Sequence, residues 1–343
     1  MTDSITIQQA IKTVLERHDL SREQMQTVMQ HIMTGECTDA QIGGLLVALR
    51  MKGETVQEIT AAASVMASLA DHVAVDVPNL IDIVGTGGDG TSTFNISTAS
   101  SFVAAAAGAN VAKHGNRSVS SQSGSADLLE KAGAELSLNA EQVADVIRKA
   151  GVGFMFAPMH HSAMKHAIGP RKEMAVRTIF NVLGPLTNPA GVKRQVVGVF
   201  APELTDIIAS VFAELGSEHT LVVHSDDGMD EISVGAPTRV SEMKNGQLET
   251  YSIRPQDFGM PVSSIEELVV ADAAGSLQMI EAVFNGGDVP AARNAIALNA
   301  GAGIYVSGLA ASLKEGVELA LAAINSGKAK SVMQAYVQAT QAV

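Results

Sequence analysis

The chain has 343 residues, 46% of them hydrophobic, and no apolar run nears the roughly 18 residues of a membrane span, so it reads as a globular protein of about two domains. A net charge of −13 and 3% aromatic residues exclude a protein whose main work is gripping nucleic acid, which needs Lys and Arg on phosphates and rings on bases. A small anionic ligand stays open, since a few local cations and backbone amides suffice to hold one. The single cysteine, Cys37, predicts a reducing compartment. The polar residues 1–9 lack the basic and apolar regions of a signal peptide, which predicts a cytoplasmic protein.

Residues 1–72 carry helical signals alone. Ser21 with Gln24, Thr38 with Gln41 and Thr55 with Glu58 form capping boxes. Apolar positions such as Ile42, Leu45, Leu46 and Leu49 follow at helical period, and Gly35 and Gly53 fall where helices should stop. The pattern predicts a small domain of about four helices.

Beyond residue 73 the pattern alternates. Strands are predicted at 80–84, 109–112, 152–156, 194–200 and 220–224, with helices at 99–107, from 126, at 141–150 and at 204–215. Strands alternating with helices predict a mostly parallel central sheet covered by helices on both faces. Asn245-Gly246 predicts a hairpin turn. Residues from 265 onward are helix-rich. Residues 160–189 interrupt the rhythm with further helix, a stretch able to fold back on the N-terminal helices. The expected division is 1–72, with part of about 160–190 packing on it, and 73–343 as an α/β domain.

Gly85-Thr86-Gly87-Gly88-Asp89-Gly90 directly follows the first strand. Glycines let backbone amides close on a ligand oxygen, and the helix beginning near Asn95 presents free amides and a favourable dipole to an anion. Phosphate or diphosphate is the natural ligand. The loop fits G-x-G-x-x-G, yet the acid that would hold a ribose after the next strand is missing, and Lys113 to Arg117 stands there instead. It also lacks the lysine of a nucleotide triphosphatase loop, because Thr91 occupies that place. A plain connecting turn remains the bland alternative.

The second strand ends in Lys113-His114-Gly115-Asn116-Arg117-Ser118, with Ser120 and Ser121 close behind. Two cations, several hydroxyls and an amide in nine residues suit the oxygens of a phosphorylated sugar, against the alternative of a solvated polar loop. Strand 220–224 runs into Ser225-Asp226-Asp227-Gly228-Met229-Asp230-Glu231. Carboxylates at a strand end can hold magnesium, though Asp226-Asp227-Gly228 is also good turn chemistry. Asp230 and Glu231 are assigned to metal, and the other two acids stay open. Arg171 can pair with a substrate carboxylate or with a neighbouring helix. His160, His161 and His166, with Met159 and Met164, lack a carboxylate or thiolate to complete a ligand set and read as pocket or loop residues. No nucleophile–base order stands out.

Taken together, Gly85–Asp89, Asn95–Thr98, Lys113–Arg117 with Ser120 and Ser121, Arg171, the run from Asn181 to Asn188, and Asp230-Glu231 resemble the signature set of the anthranilate phosphoribosyltransferase family, in order and spacing, over about residues 5–335. Ser118, where Ala is usual, is a mild departure. The resemblance implies a helical domain joined to an α/β domain of the nucleoside phosphorylase and phosphoribosyltransferase kind, and a homodimer through the helical part. It implies phosphoribosyl pyrophosphate as donor, anthranilate as acceptor, two magnesium ions, and a place in tryptophan biosynthesis. Gly85, Gly88, Asp89, Thr93, Asn95, Ser97, Thr98, Lys113 and Ser125 would contact the donor. Ser97, Asp230 and Glu231 would serve magnesium. Asn116 and Arg171 would hold anthranilate, with Gly85 lining that site and His114 beside it. A nucleoside phosphorylase of the same fold and a non-catalytic nucleic-acid-binding relative are the rival expectations.

Overall fold

The computed structural model describes residues 5–117 and 123–343. Four helices open the chain: α1 (Ile7–Leu15), α2 (Arg22–Met33), α3 (Asp39–Lys52) and α4 (Val56–Ser68). Each starts at a hydroxyl residue that accepts from the amide three positions on, while the Gln or Glu there accepts from the cap amide in return. Ser21, Thr38 and Thr55 are the expected caps, and Thr6 with Gln9 adds another. Each such cap contributes about 1 kcal/mol by satisfying amides that a helix start leaves bare.

The capping acid of α4 reaches further. Glu58 is fully buried and also accepts from the Leu20 amide at 3.0 Å and from Lys52 Nζ at 2.9 Å. The Lys52 side chain is only 5% exposed and pairs with Asp19 at 2.6 Å. Removing one partner strands a buried charge at a cost of about 3–5 kcal/mol. Glu58→Ala is therefore expected to lower the thermal midpoint by roughly 4–7 °C, read by scanning calorimetry. An unchanged midpoint would mean that Asp19 and water compensate Lys52 fully.

Alternation then sets in: β1 (Leu80–Gly85), α5 (Ile96–Ala106), β2 (Asn110–Gly115), α6 (Ser125–Lys131), α7 (Ala140–Ala150) and β3 (Val152–Phe156). A helical excursion follows, made of α8 (Ala157–His160), α9 (Lys165–Met174) and α10 (Phe180–Leu183). The rhythm resumes with β4 (Arg194–Gly198), α11 (Leu204–Glu214) and β5 (His219–Ser225). β6 (Thr238–Lys244) and β7 (Gln247–Ile253) form the hairpin, with Asn245 at φ 51° and Gly246 at φ 77° as its both-positive turn. Helices α12 (Ala273–Phe284), α13 (Pro290–Ser307), α14 (Leu313–Asn325) and α15 (Lys328–Gln341) close the chain.

The strands form one sheet in the order β3-β2-β1-β4-β5-β6-β7, parallel from β3 to β5 and antiparallel beyond. Alternate residues feed opposite faces, as a pleated strand requires. Val196 and Leu221 join a core with α5, α13 and α15, where Phe102, Ile296 and Tyr336 are buried. Their neighbours Val197 and Val222 join a second core with α2, α3, α4, α10 and α11, contributed by Met25, Leu45, Ile59, Phe180 and Phe212. From β1 the chain steps outward to β2 and β3, then returns to lay β4 on the other side. Connections leaving β1 and β4 therefore part, and a crevice opens at the carboxyl ends of these strands.

Candidate active site

The floor of that crevice is two paired glycines, Gly85 at the end of β1 and Gly198 at the end of β4. After β5 the chain curls over them. A Cβ at Gly198 would lie 1.5 Å from the Asp230 carbonyl oxygen, so main chain rests directly on main chain. A Cβ at Gly85 would lie 2.4 Å from Asp230 Oδ2. The glycine loop then turns through Gly87 and Gly88 at φ 67° and 78°, a left-handed pair that side-chain-bearing residues rarely adopt. This turn aims the Gly87 amide at Asp230 Oδ2, to which it donates at 2.7 Å.

The returning limb of the loop is pinned by distant chain. Phe94 N–H donates to the Leu268 carbonyl at 2.9 Å, Val270 N–H donates to the Ser92 carbonyl at 3.1 Å, and Thr93 bridges to Val269. Asn95 Oδ1 accepts from the hydroxyls of Ser276 at 2.7 Å and Ser123 at 2.8 Å. With Asn95 so engaged, α5 has no side-chain cap, and its first amide, of Ile96, donates to the Phe94 carbonyl at 2.7 Å. The Ser97 amide reaches Glu231. Thr98 Oγ1 donates to Ser125 Oγ at 3.1 Å, tying α5 to the start of α6.

Lys113, on β2, is 2% exposed. Its Nζ donates to the Ile83 carbonyl at 2.6 Å and to the Ser97 hydroxyl at 3.2 Å. Burial pulls the ammonium below its ordinary range, opposed by Asp82, Glu231 and Asp230 in that order. Asp82 lies beneath, fully buried and pushed up to about 6 by that burial; Oδ2 accepts from Asn188 at 2.8 Å and from the His114 amide at 3.3 Å. Asp230 is pushed up to about 7, first by burial and then by Asp89. Burial and Asp230 hold Glu231 well above the carboxylate range. Acids crowded together in this way favour a cation beside them, which offsets their mutual repulsion.

The donors fit a hard ion. Asp230, Glu231 and the Ser97 hydroxyl offer oxygen alone, as magnesium prefers. Among the described residues no three His, Cys, Asp or Glu side chains form a ready cage. An ion held by one or two carboxylates, completing its shell with water and phosphate oxygens, is the usual magnesium arrangement. The two acids left open by the sequence differ in their surroundings. Asp226 is exposed, while Asp227 accepts from the hydroxyls of Ser225 and Ser233, both at 2.5 Å, and braces the loop.

Beside the cradle, His114 Nδ1 donates to the Gly184 carbonyl at 3.1 Å. Its Nε2 is then a bare lone pair, buried and without a partner among the described residues. Burial, followed by neighbouring His161, pushes this imidazole down to about 3, and burial holds His161 at about 4. The two rings lie 5.0 Å apart. Arg171, on α9, is half-buried over the Phe180 ring at 5.2 Å, with no carboxylate partner among the described residues. Burial lowers its pKa.

Asn116 stands exposed where the loop leaves β2. Arg117 departs from its expected place among the phosphate donors: it pairs with Asp127 at 3.1 Å and Glu130 at 2.5 Å and lies over the Phe156 ring. Two carboxylates on the next helix outcompete a shared loop position. Ser118, Ser120 and Ser121 lie outside the described residues. His160 Nδ1 donates to the Asp71 carbonyl at 3.1 Å, and His166 lies against Gly35. Both link the helical excursion to the N-terminal region. Sequence reasoning missed Arg177, whose guanidinium covers the Phe200 ring at 4.3 Å and donates to the Gly88 carbonyl. It also missed Gly198 and Ser276, whose roles appear only when remote segments meet.

Comparison with known proteins agrees with this architecture. Residues 77–330 match the family described as Glycosyl transferase family, a/b domain, and residues 8–70 match its helical bundle domain. An anthranilate phosphoribosyltransferase of Marinomonas sp. (strain MWYL1) is 59% identical, with 95% of each chain covered. The crystal structure of the Thermus thermophilus anthranilate phosphoribosyltransferase superposes with a TM-score of 0.92 at 41% identity, covering 97% of this chain and 99% of that one. The Saccharomyces cerevisiae anthranilate phosphoribosyltransferase, solved in complex with phosphoribosyl pyrophosphate and magnesium, gives 0.90 at 27% identity, covering 98% of each.

Proposed function

The chain belongs to the anthranilate phosphoribosyltransferase family, and from that membership and the crevice at the strand ends we infer that it transfers the phosphoribosyl group of phosphoribosyl pyrophosphate to anthranilate, releasing diphosphate, in tryptophan biosynthesis. One observation carries the reading: the Gly87 amide, Lys113 and the Asp230–Glu231 acids meet in a single crevice. In the proposed assignment Gly85, Gly88, Asp89, Thr93, Asn95, Ser97, Thr98, Lys113 and Ser125 contact the donor. Asp230, Glu231 and the Ser97 hydroxyl serve two magnesium ions; the complex of the yeast relative contains magnesium. Bound magnesium neutralises the charge that develops on departing diphosphate.

The protein's own share is positioning and fixed charge. The glycine-loop amides orient diphosphate, and Lys113 adds a cation held by Ile83 and Ser97. Attack on the anomeric carbon proceeds by direct displacement. An aromatic amine is neutral near pH 7, so it needs no prior deprotonation. His114, its ring held between the Gly184 carbonyl and His161, stands beside the acceptor in the proposed assignment. Asn116 and Arg171 take the acceptor, with Gly85 lining its site; a half-buried guanidinium with no carboxylate partner among the described residues is suited to a substrate carboxylate. Arg171→Ala is expected to raise KM for anthranilate about 10–100-fold with a much smaller change in kcat. An unchanged KM in steady-state assays would remove Arg171 from this role.

The proposal includes a homodimer through the helical part. Leu15, Val47 and Met51 stand exposed on α1 and α3, apolar surface that pairing would cover. It also includes the division at about residue 72, with part of about 160–190 packing on the first domain, and a cytoplasmic setting in keeping with the single cysteine. Among the described residues no helix is long and apolar enough to cross a membrane. Loss of anthranilate fluorescence on addition of phosphoribosyl pyrophosphate and magnesium tests the whole reading. Phosphorolysis of a nucleoside with inorganic phosphate, and no such loss, would instead favour a phosphorylase.

A further inference from the structure

Behind the acidic pair stands Asn299, in the middle of α13 and 1% exposed. Its Oδ1 accepts from the Ile232 amide at 2.9 Å, and its Nδ2 donates to the Ile232 carbonyl at 2.9 Å and to the Ala295 carbonyl at 3.0 Å. Only the amide nitrogen can serve two carbonyls, so the orientation of the side chain is determined by its partners. Asn is an unfavourable choice inside a helix because its side chain competes for backbone groups. Here that capacity is turned onto a different segment of chain. Ile232 directly follows Glu231, and both its peptide groups are satisfied by this one side chain.

The acids are thus held from two sides. Asp230 rests on the bare backbone of Gly198, and the peptide beyond Glu231 is clamped by α13. An apolar residue at 299 would leave a buried N–H and C=O of Ile232 without partners, and the segment would have to shift to find others. We propose that Asn299 is a positioning residue for the cation-binding acids, acting through the Ile232 main chain on the direction of the Glu231 carboxylate. This deepens the proposed function and rests on the assignment of Asp230 and Glu231 to magnesium.

The test compares Asn299→Ala with Glu231→Gln and with Ile304→Ala, a core truncation on the same helix. Magnesium is titrated calorimetrically into protein saturated with phosphoribosyl pyrophosphate, without amine, and kinetics are measured in parallel. Asn299→Ala is expected to weaken the magnesium dissociation constant by about tenfold or more and to lower kcat, with KM for anthranilate within about twofold. Ile304→Ala should lose stability without moving the magnesium constant. If Asn299→Ala does not fold, Asn299→Asp keeps the shape and the acceptor oxygen and carries the same test. A magnesium constant within about twofold of wild type in whichever variant folds overturns the positioning role. So does an equal shift in Ile304→Ala. If Glu231→Gln also leaves the constant unchanged, the metal assignment itself fails; if Glu231→Gln weakens it alone, only the role of Asn299 is lost.

Discussion

Asp230→Asn combined with Glu231→Gln is expected to lower kcat by about three orders of magnitude or more while the protein stays folded. The loss follows from removing the anionic oxygens on which the proposed cation depends, while side-chain size barely changes. Stability should move the other way in metal-free protein. Asp230 is pushed up to about 7 by burial, well above its unfolded value. Between roughly pH 4 and 7 the folded state therefore binds more protons than the unfolded state, and stability falls as pH rises through that window. Neutral amides remove this penalty, so the double variant should melt at or above wild type at pH 8 without metal. Near-normal turnover in this variant would sink the metal assignment, and a lower melting point would contradict the burial argument.

Gly198→Ala should also be damaging, by a different route. The added Cβ would meet the Asp230 carbonyl at 1.5 Å, and that neighbour is backbone, not the end of a flexible side chain. Either β4 or the acidic loop must move by more than an ångström, taking Asp230 off the Gly87 amide. Overpacking of a close-packed site costs about 1–3 kcal/mol, and misplacing catalytic groups by about 1 Å costs on the order of 10²-fold in rate. The expected outcome is soluble but less stable protein with kcat reduced by about two orders of magnitude, measured beside circular dichroism. Wild-type kcat would show that the acids can sit elsewhere and still work.

What the sequence made legible was local. Ser21, Thr38 and Thr55 announce their helices because the capping bonds lie within three residues. Asn245-Gly246 announces its hairpin because the turn geometry belongs to those two residues. The glycine loop and the Asp230–Glu231 pair were visible because each sits in one short stretch at a strand end. Strand order was not visible, since nothing local says that β4 returns to lie beside β1. Arg117 misled for the same reason: its chemistry suits phosphate, but Asp127 and Glu130 on the following helix claim it. Asn299, Ser276, Gly198 and Arg177 act across separations of 67 to 181 residues or through contact with another loop, and carry no signature in their own neighbourhoods.

The second core has a consequence for motion. Val197, Val199 and Val222 on one face of the sheet are buried in the same cluster as the N-terminal helices and the excursion, and α4 packs on α11. The Arg171 helix is therefore not hung from the sheet by a bare hinge. Drawing it toward the glycine loop means sliding interlocked ridges past one another, a shear whose steps are small because close-packed side chains tolerate little displacement before they must jump to a new fit.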